Sequence, residues 1–544
     1  MEIGYAMNLL IGELIAQPRR QKMNIFFCDE GATTNKKSSF LLEFFPMLVL
    51  LSLSSCSGEN PIEVIPEEPD STETPLQLVD TIPPFVSVAE NFTTTDLILP
   101  EEFSYRIIFQ EQVDLVTRAD GKQFPAKGLH DLTVFIPDKK NPETKGLIYI
   151  SHEDKMANDN LGDGGGATVF PIELKDGKWE VTGKFDHIDF SSVGGTNRNC
   201  GGSLTPNGTV FTCEETWAWN TEYLYQKGKG HRDTSWINGR PIWQNMGYIV
   251  EVDPVERKVL GKHLKMGKFV HEDALCTSDG KYVYLTDDNS PGVFFRFVAD
   301  KTFDYTNGQL QAYKQSPDGE SGEWLNLAMD TLSLINCHME AIKKGASMFI
   351  RHEWIEEING KFYISETGED NFDWTESEQL GGSVPTYVRD SLKTGNHTYD
   401  DCFGRILEFD PSTNRMRSYL EGGFFSDSSG CFSNPDCNTS VNIGGRTFLV
   451  ISEDINWYDR GRVSKEAEAS KQMFNEIYFL DMSIENPTVD DLLRFCVAPK
   501  GSETTGVIFL PDGSMALNIQ HPWPKNPAPF NKSCTVIVEG FKNK

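Results

Sequence analysis

Basic residues are scarce in this chain. Its 544 residues hold 50 Lys and Arg against 80 Asp and Glu, a formal charge of −30. That deficit argues against a nucleic acid as a recognised partner and against an anionic membrane surface. Cysteine is sparse as well. No two cysteines are spaced C-x-x-C, so a zinc ribbon is not expected. The apolar stretch from Phe40 to Leu53 is interrupted by Glu43. It falls short of the ~20 apolar residues a membrane-spanning helix needs. Helical periodicity is equally rare. The segment "EAEASKQMFNEI" (Glu466 to Ile477) is the best local helix, expected in an insertion.

What the chain does have is glycine, 46 residues, and 11% aromatics, enough for a large core rich in turns. Its length suggests several domains, but β-propellers and barrels of this size occur as single units. Near the N-terminus, Lys36 and Lys37 precede the short apolar run, which ends in Leu53-Ser54-Ser55-Cys56. A basic flank, an apolar run and small residues before a cysteine resemble a bacterial lipoprotein signal. Residues 1–56 are therefore expected to be signal peptide and lipobox, with cleavage before Cys56 and a lipid on its thiol; an ordinary secretory peptide is the alternative. A start at Met23 would shorten a long leading region. Residues 57–90, rich in Pro, Glu, Ser and Thr, are expected to form a disordered tether. Residues 91–544 would be the folded domain. The expected protein is exported and monomeric, in the periplasm or on the cell surface, and membrane-bound only through its lipid. In such a compartment some cysteines should pair; Cys431 with Cys437 is close enough for a local bridge.

Six stretches share one pattern. They are "HDLTVFIPDKKNPETKGLIYISHED", "CGGSLTPNGTVFTCEE", "EDALCTSDGKYVYLTDD", "EWIEEINGKFYISETGED", "DCNTSVNIGGRTFLVISEDI" and "TTGVIFLPDGSMALNIQHP". Each alternates apolar residues, turns at Pro-Asp, Asn-Gly, Asp-Gly or Gly-Gly, and returns through β-branched or aromatic residues. Gly and Asn supply the positive φ that tight hairpin turns require. A β unit repeated six times, with room for two outer strands per copy, predicts an all-β fold, a six-bladed β-propeller with long loop insertions.

The first and last residues of an antiparallel hairpin lie at the same end. Asp131 should therefore meet Glu153/Asp154, Cys200 should meet Glu214/Glu215, and Glu272 should meet Asp287/Asp288. Glu353 should likewise meet Glu366, Asp436 should meet Glu453/Asp454, and Thr505 should meet His521. If these hairpins are the inner strands, their acids, one thiol and one histidine converge on one mouth of the channel. Like charges packed that closely call for cations. Carboxylates suit hard ions such as Ca2+ or Mg2+. A thiolate points to a transition metal, iron or zinc. For Cys200 the alternative is a disulfide with Cys213. Arg351 stands two residues before Glu353, on one strand face by period two. There its guanidinium is suited to gripping a phosphate, or to a purely structural pairing with the acids.

The run "NRNCGGSLTPNGTVFTCEET" resembles the most distinctive motif of the PhoX-type alkaline phosphatases. "FVHEDALCTSDGKYVYLTDD", "RHEWIEEINGKFYISET", "NPDCNTSVNIGGRTFLVISED" and the terminal "TTGVIFLPDGSMALNIQHP" resemble further family segments, in order, between about residues 125 and 523. The resemblance implies a six-bladed propeller that hydrolyses small phosphate monoesters and serves phosphate acquisition. It implies calcium (Ca2+) and ferric (Fe3+) ions in one pocket. Cys200 would be the iron ligand, and Glu215, Glu272, Glu353 and Asp436 the carboxylate ligands. Arg351 would hold the substrate phosphate, and His521 would lie near the pocket and the substrate. No serine nucleophile is required. Ser203, Asn207, Thr286, His352 and Cys437 depart from the family pattern, but none removes an implied ligand. The competing function is a calcium-dependent sugar-lactone hydrolase, or a propeller that only binds ligands.

Overall fold

The computed structural model describes residues 83–541 apart from 157, 159, 163, 217–235, 238–239, 318, 320, 370–371, 374–397, 400, 402 and 456–473. The chain divides into two units, Met1–Leu76 and Gln77–Lys544, and every described residue lies in the second. Met23, the signal segment and Cys56 lie outside the described residues.

Six sheets of four to seven strands account for most of the described chain. Their inner strands are His130–Pro137, Asn199–Leu204, His271–Cys276, His352–Ile358, Pro435–Ile443 and Glu503–Phe509. Each inner strand contacts the next in that order, and the sixth contacts the first, which closes a ring. The fold is thus a β-propeller of six blades, numbered one to six in chain order. Each quoted hairpin supplies the two innermost strands of a blade. The second strands are Lys145–His152, Val210–Glu214, Tyr282–Asp287, Lys361–Glu366, Arg446–Glu453 and Met515–Gln520. The turns behave as their residues require. Asn359 and Gly360 both take positive φ, 54° and 78°, as do Gly444 and Gly445, at 59° and 80°.

Blade six is closed by the N-terminal side of the domain. Ser104–Gln110 pairs antiparallel with Cys534–Glu539, the last strand of the chain. Ordered packing begins still earlier, ahead of residue 91. Phe85 is buried with its ring 5.1 Å from Phe479 and 5.0 Å from Phe495. Aromatic and branched side chains fill the seams between blades; Tyr284, Phe294, Phe362 and Phe409 form one such cluster.

Two short helices, α1 (Thr331–Ile335) and α2 (Cys337–Lys343), link blades three and four. Asp330 caps α1 by accepting from the backbone N–H groups of Leu332 and Ser333. The helix expected over Glu466 to Ile477 falls partly outside the described residues. Its last two residues instead begin the strand Glu476–Asp481, which pairs with the second strand of blade five. Among the described residues no disulfide joins Cys431 to Cys437 or Cys200 to Cys213, so the expected local bridge and the alternative disulfide at Cys200 are both absent.

Candidate metal and phosphate centre

Every inner strand carries one extra residue relative to its partner. In blade one the register passes from His130↔His152 to Thr133↔Ile150. Blades three, four and five repeat this at His271/Ala274, His352/Ile355 and Pro435/Asn438. In blade two the break separates Gly202 from Asn199. Such a bulge bends the strand and re-aims the side chains within it. The bulged residues here are Asp131, Cys200, Glu272, Glu353 and Asp436. In blade six the bulge falls farther along, between Thr505 and Ile508. The acid facing the centre there is Glu503.

A second layer sits just above. The residue following the second strand donates its backbone N–H to the carbonyl of the residue preceding the inner strand. This bond links Glu153 to Leu129, Glu215 to Arg198, Asp288 to Val270, Thr367 to Arg351 and Asp454 to Asn434. The carbonyl-bearing residue has a positive φ at Leu129, Arg198, Arg351 and Asn434. One local geometry, repeated around the ring, therefore stacks Glu153, Glu215, Asp288, Thr367 and Asp454 over the bulged donors. His521 holds that place in blade six, its Nε2 3.1 Å from Glu503 Oε2.

The donors converge. Cys200 Sγ lies 2.9 Å from Asp131 Oδ2 and 2.8 Å from Glu272 Oε1. Ligand atoms of Cys200, Glu215 and Glu272 lie within 4.8 Å of one another, as do those of Glu272, Asp288 and Glu353. The sets Asp131–Glu153–Cys200 and Asp454–Glu503–His521 meet the same limit. Asp436 lies in the electrostatic field of Glu353, Glu503, Asp454 and Asp131. Neutral groups orient the acids: Trp354 Nε1 donates to Glu272 at 3.1 Å, Thr505 Oγ1 to Asp131 at 2.8 Å and Thr367 Oγ1 to Glu353 at 2.7 Å.

Two guanidinium groups complete the ring. Arg351 Nε lies 2.8 Å from Asp288 Oδ1, and its Nη2 lies 3.1 Å from Glu353 Oε1. Arg198 Nε lies 3.0 Å from Glu153 Oε1, and its Nη2 lies 2.5 Å from Glu215 Oε2.

These charges do not balance. Burial, followed by neighbouring carboxylates, holds Glu272, Asp436 and Glu503 well above the usual carboxylate range. Glu215 and Glu353 are raised for the same reasons, although Arg198 and Arg351 oppose the shift. Burial pushes Asp131 up to about 7, and raises the Cys200 thiol further still. At Glu153 burial pushes the carboxyl up, but Arg198, a hydrogen bond with Glu215 and the nearby His521 together lower it. Cys200 has a single proton to offer two close carboxylates. A set of oxygens and one sulfur that burial keeps from ionising together has the composition of a cation site.

Six of the expected site residues, Cys200, Glu215, Glu272, Glu353, Asp436 and Arg351, thus lie in one buried cluster, and His521 is at its edge. Five acids expected in the mouth are elsewhere, four of them at the ends of second strands. Glu214 pairs with Lys262 at 2.7 Å, Asp287 with His338 at 2.7 Å and Glu366 with Arg405 at 2.9 Å. Glu453 accepts the N–H groups of Ser433 and Glu476. Each is the last residue of its second strand and points into the blade, because successive side chains alternate; the next residue faces the axis. Asp154 caps its own loop by accepting from Met156 N. Thr505 reaches Asp131 rather than His521, whose neighbour is Glu503.

Comparison with solved structures finds the same fold in Pseudomonas fluorescens PhoX in complex with vanadate, a transition state analogue. Identity is 17%, coverage is 84% of this chain and 98% of that one, and the TM-score is 0.62. Looser likenesses carry no argument. One is a calcium structure of a Trichoderma reesei carbohydrate-active enzyme of family AA12, at 8% identity, 84% and 100% coverage and TM-score 0.38. Another is Trypanosoma rangeli sialidase in complex with sialic acid, at 10% identity, 81% and 59% coverage and TM-score 0.33. No curated protein matches the chain. A family model described as alkaline phosphatase PhoX matches residues 176–523. That span is well over half of the chain and includes five of the six inner hairpins, so the chain belongs to the PhoX alkaline phosphatase family.

Proposed function

We propose that the axial ring is the phosphomonoesterase centre of this phosphatase, with Ca2+ and Fe3+ ions held by Cys200, Glu215, Glu272, Glu353 and Asp436. The observation that carries the reading is the contact of Cys200 with two carboxylates from neighbouring blades, at 2.9 and 2.8 Å, inside a set of acids that burial keeps from ionising together. Cations satisfy that set where protons otherwise must. When bound, the ions supply Lewis-acid neutralisation of the charge on the phosphate.

The chain's own residues do the rest. Arg351 presents a planar fork to the terminal oxygens of a phosphate monoester. Asp288 and Glu353 fix that fork from two sides, and Thr367 fixes Glu353. Trp354 and Thr505 hold Glu272 and Asp131 in their orientations. Burial of the ring lowers the local dielectric, so each of these contacts is stronger than it would be in water. The chain need supply no serine nucleophile. His521 sits at the exposed edge, where a leaving group would depart.

The same reading makes the substrates small phosphate monoesters and places the protein outside the cytoplasm. It would be a lipoprotein anchored through Cys56 by a tether that ends ahead of the packed Phe85. Intact mass of the native product tests the anchor. For the centre, purified protein is analysed for metals and assayed with an aryl phosphate. Iron and calcium in the protein, visible thiolate-to-iron absorption and phosphate release are expected together. Colourless protein with no turnover after both metals are restored would sink the proposal.

A further inference from the structure

Arg198 and Arg351 are the same residue of two different blades. Each lies two positions before a bulged donor, Cys200 or Glu353. Each has a left-handed backbone, with φ of 46° and 61°. Each accepts, at its carbonyl, the N–H of the residue that follows the neighbouring strand, Glu215 or Thr367. Each spans two acids, one from its own blade and one from the preceding blade. In blades one and five the same left-handed position holds Leu129 and Asn434, so the backbone device is general and the arginine is not. The side chains are 18% and 21% exposed, enough to meet a ligand from the mouth. Glu272, on the blade between them, shares one donor cluster with Glu215 and another with Asp288 and Glu353. The two guanidinium groups therefore flank Glu272, Arg198 through Glu215 and Arg351 through Asp288 and Glu353.

We infer that Arg198 is a second phosphate-gripping residue, and that the pair makes the centre select monoesters over diesters. This rests on the phosphatase reading of the ring. A phosphate monoester dianion has three unesterified oxygens. One guanidinium fork spans two of them, and a second fork from the other side takes the third. In a diester that third oxygen carries an ester group and a full negative charge is missing. The Arg198 N–H groups would then face an oxygen that accepts poorly, in a buried place where an unmet donor is costly.

The test compares 4-nitrophenyl phosphate with bis(4-nitrophenyl) phosphate on the metal-loaded protein and its Arg198→Lys and Arg198→Met variants, with metal content measured in each. The monoester kcat/KM is expected to fall at least ten-fold further than the diester value while metal content holds. Equal losses on both substrates, or losses that follow metal content, overturn the inference and leave Arg198 a structural partner of Glu153 and Glu215. A second measurement needs no variant: inorganic phosphate should inhibit the unaltered protein at least ten-fold better than dimethyl phosphate, and equal inhibition overturns the inference by itself. If the unaltered, metal-loaded protein releases phosphate from neither ester, it is the phosphatase reading that has failed.

Discussion

The thiol of Cys200 crosses a blade boundary to reach Glu272, with Sγ 2.8 Å from Oε1. Both residues occupy the bulged position of their strands, so the contact follows from the repeat itself. Neither can ionise freely while the other is charged and no cation intervenes. Cys200→Ser keeps the size and removes the soft ligand. Bound iron and its visible absorption should be lost together, and phosphatase activity should fall by about 10² or more, on the scale of ligand-shell losses in metal sites. Retained iron with full activity would show that the sulfur is not a ligand.

Arg351 is tested by shape rather than charge. Lysine preserves the positive charge but offers a point donor in place of a fork. Arg351→Lys should raise KM for an aryl phosphate by about ten-fold to a hundred-fold, with metal content unchanged. An unchanged KM would mean that the guanidinium serves only Asp288 and Glu353.

Much of this site is legible in the sequence because the repeat is local. The turn residues set the hairpins, and hairpin pairing sets which ends meet; Cys200, Glu272, Glu353 and Asp436 follow from that alone. Alternation across the end of a strand is less visible. Glu214, Asp287 and Glu453 look equivalent to Glu215, Asp288 and Asp454 until the register is known. Glu503 escapes notice because the bulge of blade six is displaced toward Ile508, which turns the strand's first residue toward the axis. Arg198 carries a usable signal: Arg-x-Cys at 198–200 repeats the spacing of Arg-x-Glu at 351–353. Helices α1 and α2, only five and seven residues long, have too little periodicity to announce themselves.

Removal of metal should make the fold sensitive to alkali. Asp131 is raised to about 7, and Glu215, Glu272, Glu353, Asp436 and Glu503 are raised as well. An unfolded chain releases these protons near pH 4–4.5. Between there and the folded values the native state binds more protons, so stability falls as pH rises. For Asp131 that window closes near pH 8. Chelated protein should therefore show a Tm that drops from pH 5 to pH 8. Protein saturated with calcium and iron should show a flatter profile, since cations replace the protons. Parallel curves with and without chelator would refute cation binding by this ring.

Blade four contains a separate test of stability. Arg405 Nε and Nη2 lie 3.0 and 2.9 Å from Glu366 Oε2, and Nη1 lies 2.7 Å from Ser418 Oγ, with both partners of the ion pair fully buried. Burial raises Glu366 to about 7 even against the opposing pull of Arg405. Arg405→Met removes the counter-charge and leaves a buried carboxyl that must stay protonated or unfold the blade. The cost at neutral pH should be about 3–5 kcal/mol, the usual penalty for breaking a buried pair from one side. It should shrink as pH falls through about 7, where the Glu366 carboxyl of the folded wild type also takes up its proton; the unfolded chain contributes equally to both proteins. Adding Glu366→Gln to Arg405→Met should recover much of the loss, since no unpaired charge is then left at that buried position. Urea unfolding of the two variants at pH 5 and pH 7.5 measures both effects. A loss that is the same at both pH values and is not relieved by the second substitution would mean that Arg405 stabilises blade four through packing alone.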